Sequence, residues 1–170
     1  MQLEDAVSDG NVEFEVRLGE FAVAAGIMTE AANWLNGRGQ PLWPLDEVNE
    51  EALRSRDPRG HVLVGYVAGE PAVAALLEWQ DDWCWPGKTD SGFIHRLAVR
   101  RQYAGLGYAE ALLQWAAATC RATGKAYLRL DCVANRDRLC AFYERCGFQR
   151  VGTAVHEPYY DQALYELATS

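Results

Sequence analysis

An apolar strand that runs through a glycine-bearing loop straight into a long one-sided helix leaves few folds open to this chain. The strand is FIHRLAV (93–99), the loop opens with RRQYA, and the helix is GLGYAEALLQWAAATCRATG (105–124). On it Ala109, Leu112, Leu113, Ala116, Ala117 and Cys120 recur at i, i+3, i+4, i+7, i+8 and i+11, the spacing of one buried face. A helix with one apolar stripe needs a surface to cover, and strand-like segments lie on both sides of it in sequence. Upstream, Val12–Leu18 (VEFEVRL) alternates as a strand, 20–38 reads as a helix ended by Gly37 and Gly39, and 45–54 as a short helix closed by RDPRG. HVLVGYVA (61–68) and PAVAALLEWQ (71–80) flank Gly69-Glu70 as a hairpin. Downstream come a strand (126–132), a helix (136–145) closed by Cys146-Gly147, and two strands (148–155 and 160–168). The order β-α-α-β-β-β-α-β-α-β-β predicts a mixed α/β sheet with helices on both faces. With 170 residues and no linker-like tract or repeat, the sequence predicts a single domain over 1–170.

Charge narrows the partners. Sixteen Lys+Arg against 24 Asp+Glu leave a net charge of −8, which repels phosphate backbones and attracts cationic molecules. No nucleic acid is expected, and with only Lys88 and Lys125 as lysines there is no polybasic membrane anchor. No run reaches the ~18 apolar residues of a membrane span, and MQLEDAVSDGN lacks the cationic start of a signal peptide. The expected location is the cytoplasm. Five cysteines without a CxxC read as reduced thiols, and His61, His95 and His156 keep no ligand-like spacing to a Cys pair, so no metal is assigned.

The loop carries the chemistry. Gly105 and Gly107 have no Cβ, so backbone can approach a ligand closely, and the unpaired amides opening the helix point at it with the helix dipole behind them. A phosphate or pyrophosphate is the natural guest; the alternative is a glycine-rich turn with no ligand. Two phosphate loops fail on spacing. Gly87-Lys88-Thr89 lacks the earlier glycine of a P-loop, and a dinucleotide fingerprint starting at Gly105 meets Glu110 where Gly or Ala is needed.

The stretch LAVRRQYAGLGYAEALL resembles the strand, pyrophosphate loop and helix of the GCN5-related N-acetyltransferases, whose loop commonly reads Arg/Gln-x-x-Gly-x-Gly/Ala; Gln102-x-x-Gly105-x-Gly107 satisfies it. In a second register, Ala104 to Ala109, Ala104 stands where Arg is usual. A second block, LRLDCVANRDRLCAFYERCGFQRVG, is similar to the family's next strand and helix, with Tyr143, Glu144, Gly147 and Phe148 in matching places. Asn135 lies one residue farther from Tyr143 than usual, with Arg136 in its place. The resemblance implies a GNAT-type α/β fold, mostly antiparallel with helices on both faces, and acetyl-CoA as cosubstrate. It implies cofactor contacts from Leu97, Ala98, Val99, Gln102, Ala104, Gly105, Leu106, Gly107, Tyr108, Ala109, Asn135 and Tyr143. The implied acceptor is the amine of a small molecule or peptide. Dimers are common in the family, and no segment here marks a homodimer interface.

Acetyl transfer from a thioester to an amine needs a held cofactor, a neutral amine, support for an oxyanion and a proton for the departing thiolate. Tyr143 matches the family's usual general acid; the alternative is a core aromatic beside Phe142. For the base, His95 lies two residues before Leu97 on the same strand face, where many relatives carry Glu, and an imidazole of pKa about 6.5 suits an amine proton near neutral pH. Glu78 on the preceding strand and a water relay through Asp131 are the alternatives. Trp34, Trp43, Trp79, Trp83, Trp85, Tyr159 and Tyr160, with Asp81, Asp82, Glu157 and Asp161 nearby, form a candidate cage for a cationic amine. A noncatalytic acetyl-CoA sensor is the rival reading.

Overall fold

Alternating apolar residues in VEFEVRL become β2 (Val12–Leu18), the strand on which the N-terminal part is built. The computed structural model describes residues 7–9 and 12–170. In β2, Phe14, Val16 and Leu18 stand opposite Val67, Gly65 and Leu63 of the antiparallel β3 (Gly60–Val67). A short strand that sequence reading did not anticipate, β1 (Val7–Asp9), pairs with the other edge of β2. β3 turns into β4 (Glu70–Glu78) through Ala68 and Gly69, with φ of 49° and 82°. A two-residue hairpin loop of the primed type needs positive φ at both places, so the turn falls one residue before the predicted Gly69-Glu70.

Gly65 marks a close approach. A Cβ there would lie 2.6 Å from Val73 Cγ1 and 2.7 Å from Phe14 Cζ. Gly65→Ala is therefore expected to cost about 1–3 kcal/mol of stability through overpacking, read from a denaturant unfolding curve.

Two helices cover this part. α1 (Phe21–Gly37) buries Ala24, Ala25, Ile27, Met28 and Ala32, a helical stripe that packs in one apolar cluster with Val62, Val64 and Leu76. The predicted helix at 45–54 divides: Leu45–Glu47 is one 3-10 turn, and α2 (Glu50–Arg56) starts afresh because Asn49 is extended and its side chain accepts from Ala52 N at 2.8 Å. α2 contributes Leu53 to the cluster.

The chain divides into two units, Met1–Leu77 with Arg96–Trp115, and Glu78–His95 with Ala116–Ser170. β5 (Ser91–Val99) and α3 (Tyr108–Ala122) contribute to both. In the second unit β5 runs parallel to β6 (Tyr127–Val133), from Ser91 opposite Tyr127 to Ile94 opposite Leu130. β6 pairs antiparallel with β8 (Gln162–Ala168), and β8 with β7 (Gln149–Ala154). The fold is thus mixed α/β and mostly antiparallel. Arg129 of β6 is buried and satisfied: it donates to Asp90 at 2.6 Å, Glu166 at 3.0 Å and the Ser91 hydroxyl, with Tyr127 and Trp85 against its guanidinium. α4 (Asp137–Arg145) buries Cys140 and Tyr143.

The long helix is shorter than predicted at its start. Gly105 and Gly107 have φ of 76° and 87°, outside the helical region, so α3 begins at Tyr108. Its buried stripe holds Leu112, Leu113, Ala116 and Cys120 as expected and is widened by Trp115 and Thr119.

Candidate functional site

In the first unit the loop between β5 and α3 is tied down at both ends. Arg100 N donates to Ala72 O at 2.9 Å, fixing the end of β5 on β4. Arg101–Tyr103 forms a single 3-10 turn whose first amide donates to Glu30 Oε1 of α1 at 3.1 Å, and the Arg101 guanidinium lies 3.6 Å over Trp34. At the far end the Tyr108 ring stacks on Phe14 and meets Tyr103 edge-on.

Between these anchors the loop is open. Gln102, Gly105, Leu106 and Gly107 are exposed, and Ala104, Tyr108 and Ala109 are half-buried. A Cβ on Gly105 or Gly107 would meet no atom within 4 Å. Backbone conformation, not crowding, therefore demands glycine here, and open space lies beside the loop. The first amides of α3 have no partner one turn back; Ala111 N is bonded to Gly107 O at 3.0 Å. Amides at a positive helix end facing open space suit an anionic diphosphate. Leu97, Ala98 and Val99 close β5, with only Ala98 fully buried.

Arg96 interrupts that strand with φ of 56°, held by an ion pair to Glu47 at 3.0 Å. A left-handed non-glycine residue costs roughly 1–2 kcal/mol. It also breaks the strict alternation that placed His95 and Leu97 on one strand face.

In the second unit, His95 follows Ile94, the last β5 residue paired with β6. Its Nε2 is 3.5 Å from Asp81 Oδ2 and 3.7 Å from Glu78 Oε1. Glu78 is 2% exposed. Asp81 is aimed by its other oxygen, which accepts the amides of Trp83 and Cys84 at 3.0 Å each. The two residues that sequence reading offered as alternative bases thus lie together, and Asp81 joins them. An Asx-type turn, Asp81 to Cys84, was the local signal for Asp81. Asp81, Cys84 and Asp131 bring ligand-type atoms within 4.8 Å of one another. Burial first, then the charges of Asp131 and Asp81, push the Cys84 thiol well above its usual pKa, so it stays protonated beside Asp131.

Tyr143 is 6% exposed on α4, ringed by Phe142, Phe148 and Tyr165 at 5.2, 5.8 and 6.1 Å between centroids. Burial, with Cys132 and Asp131 adding to it, holds the phenol far above the ordinary tyrosine range, so it remains protonated. Cys132 and Cys140 lie 3.7 Å apart as free thiols. Asn135 is exposed between β6 and α4.

The aromatic set separates. Trp43 and Trp85 pack into apolar clusters, and Trp34 is covered by Arg38 and Arg101. Trp83 meets the Tyr159 segment, stacking on His156 at 4.3 Å and meeting Tyr159 edge-on at 6.0 Å.

A strand, a doubly glycine-bent loop and a helix that presents free amides are what an acyl-CoA enzyme requires, and the acetyltransferase (GNAT) family matches residues 28–148, well over half of the chain. This chain belongs to the GNAT family. YesJ, an uncharacterized N-acetyltransferase of Bacillus subtilis (strain 168), is 35% identical over 135 residues, covering 75% of each chain. A GNAT acetyltransferase structure from Listeria monocytogenes 4b F2365 superposes with a TM-score of 0.77 at 22% identity, over 96% of this chain and 99% of that one. The structure of yncA of Salmonella typhimurium, solved with its cofactor acetyl-CoA, gives a TM-score of 0.67 at 18% identity over 92% and 94%. This GNAT protein is accordingly an acetyl-CoA-dependent acyltransferase with acetyl-CoA as cosubstrate. Among the described residues no helix is long and apolar enough to cross a membrane.

Proposed function

We propose that the chain acts as one acetyltransferase domain over 1–170 and moves the acetyl group directly from acetyl-CoA to an amine of a small molecule or peptide in a ternary complex. Acetyl-CoA supplies the activated thioester. The loop amides from Gly105 to Ala109 hold its diphosphate, with Gln102 and Ala104 at the loop entrance and Asn135 as a further contact. The backbone of Leu97, Ala98 and Val99 aligns the pantetheine arm and polarises the carbonyl. His95, oriented by the carboxylates of Glu78 and Asp81 that face its Nε2, takes the amine proton on its imidazole. Tyr143 donates a hydrogen bond to the departing sulfur; its raised pKa keeps the proton in place and makes complete transfer depend on close approach.

The observation that carries this reading is the imidazole within 3.7 Å of two carboxylates. A cofactor sensor has no use for such a proton acceptor. Direct transfer is further supported by the buried thiols: burial raises Cys84 and Cys132 well above the usual range and Cys120 to about 11, which leaves little thiolate for an acyl-enzyme.

The test is thiol release over a panel of amines at saturating acetyl-CoA. Turnover with intersecting double-reciprocal lines is expected; tight CoA binding with no turnover would establish the sensor instead. Tyr143→Phe is expected to lower kcat about 10²-fold while the calorimetric Kd for CoA stays within about twofold. Unchanged turnover would remove Tyr143 from the reaction.

A further inference from the structure

Two sulfurs that the acetyl transfer does not use lie against each other in the second unit. Cys132 Sγ of β6 and Cys140 Sγ of α4 are 3.7 Å apart, and both are free thiols. A disulfide holds its sulfurs at about 2.05 Å, so a closure of roughly 1.7 Å would bond them.

Burial does not seal the pair. Cys132 and Cys140 are 6% and 8% exposed. Cys140 Sγ lies 3.9 Å from Ala134 O, and Ala134 lines an open cleft of about 460 Å³ together with Asn135, Tyr159, Tyr160 and Asp161. Ala134 N donates to Asp161 O at 2.8 Å, which holds that wall in place. A small molecule in the cleft is thus separated from the Cys140 sulfur by the Ala134 backbone. Cys132 lies deeper in chemical terms: burial first, then Cys140 beside it, pushes its thiol well above the usual range, so it keeps its proton until the neighbouring sulfur is oxidised.

The surroundings give such a bond a consequence. Cys140 and Tyr143 are the buried residues of α4, one turn apart, and Cys132 and Cys140 both lie close enough to the Tyr143 phenol to act on it electrostatically. The same helix is tied to β8, where the Tyr165 hydroxyl donates to Glu144 Oε1 at 3.0 Å. Drawing Cys140 toward β6 pulls on a helix pinned elsewhere, and Tyr143 moves with it. Misplacing a reacting group by about 1 Å costs on the order of 10²-fold in rate.

We propose that Cys132 and Cys140 form an oxidative modification site whose reagent is a small hydroperoxide, and that the resulting disulfide switches acetyl transfer off by displacing Tyr143. The Cys140 sulfur attacks the peroxide: the O–O bond breaks, a sulfenic acid forms, and water or an alcohol leaves carrying the thiol proton. The Cys132 sulfur then attacks the sulfenic sulfur, the S–S bond forms, and the Cys132 proton leaves with the hydroxyl as water. Two thiols are oxidised and one peroxide is reduced, by two electrons in all. The loss of activity rests on the acetyl-transfer reading; formation of the bond does not.

The full chain is treated with hydrogen peroxide, cleared of it, alkylated at its remaining thiols and digested with trypsin without reductant. The expected product joins peptide 130–136 (LDCVANR) to peptide 139–145 (LCAFYER), two hydrogens lighter than the pair of thiols. With an amine that turns over, kcat measured as acetylated product should fall at least tenfold and return with dithiothreitol, while the Kd for CoA stays within about twofold. Cys132→Ala and Cys140→Ala should each carry their own activity through the same treatment unchanged; the peptide map and its reversal in the wild type decide the matter if either variant fails to fold. Absence of the joined peptide, or its formation with unchanged kcat, overturns the switch. Inactivation that persists in both variants places the oxidation elsewhere, as at the half-buried Cys146, and overturns it as well. A reduced protein that acetylates no amine overturns acetyl transfer and the switch with it, and the joined peptide then decides the modification site alone.

Discussion

Gly107→Val is expected to weaken CoA binding at least tenfold in a calorimetric titration while the melting temperature moves by only a few degrees. The reason lies in the backbone. Gly107 has φ of 87°, a conformation that costs a side-chain-bearing residue roughly 1–2 kcal/mol and a β-branched one more. Valine relieves that strain by rotating the loop toward negative φ, which turns the amides at the start of α3 away from the diphosphate proposed to sit there. The rest of the protein tolerates the change, because a Cβ at this position meets no atom within 4 Å. Gly105→Val, at φ of 76° and equally open, should behave alike. Wild-type CoA affinity in both variants would sink the loop as the diphosphate site.

His95→Ala is expected to lower kcat by 10² to 10³-fold, the range for loss of a positioned base. The pH profile distinguishes a base from a merely structural histidine. A base must be unprotonated to act, so wild-type activity should fall as pH drops, and that acid limb should vanish in the variant. Glu78→Gln and Asp81→Asn each leave Nε2 one carboxylate, at 3.5 Å or 3.7 Å, and should cost less than loss of the ring. CoA affinity should stay within about twofold. An acid limb that survives His95→Ala would move the role to a water relay through Asp131.

The backbone of the loop proposed to hold the cofactor was legible because its signals are local. Two glycines between an apolar strand and a one-sided helix state their own backbone requirement, and both adopt positive φ. Even so, the helix was read three residues too early, since apolar periodicity cannot see the left-handed turn that precedes Tyr108. The hairpin shifted by one residue for a related reason: Ala68 takes φ of 49°, which composition gives no reason to expect of alanine.

The cluster of His95, Glu78 and Asp81 was legible only in pieces. His95 and Glu78 were separate alternatives, and Asp81 belonged to a different set. Their meeting depends on the turn at Asp81–Cys84 folding back toward β5, and on β5–β6 pairing ending at Ile94 and Leu130. The aromatic cage shows the same limit. Trp43, Trp83 and Trp85 look alike in sequence, yet Trp85 is buried, Trp43 is half-buried against an apolar cluster, and Trp83 stands 47% exposed against His156.

Family, cosubstrate and most of the element order were legible in the sequence alone, because glycine conformation and apolar periodicity act between residues a few places apart. Which carboxylates lie beside His95 and which tryptophan meets His156 and Tyr159 were decided only by tertiary structure. Side-chain partnerships between distant segments depend on register and turn geometry that local residue preferences do not encode.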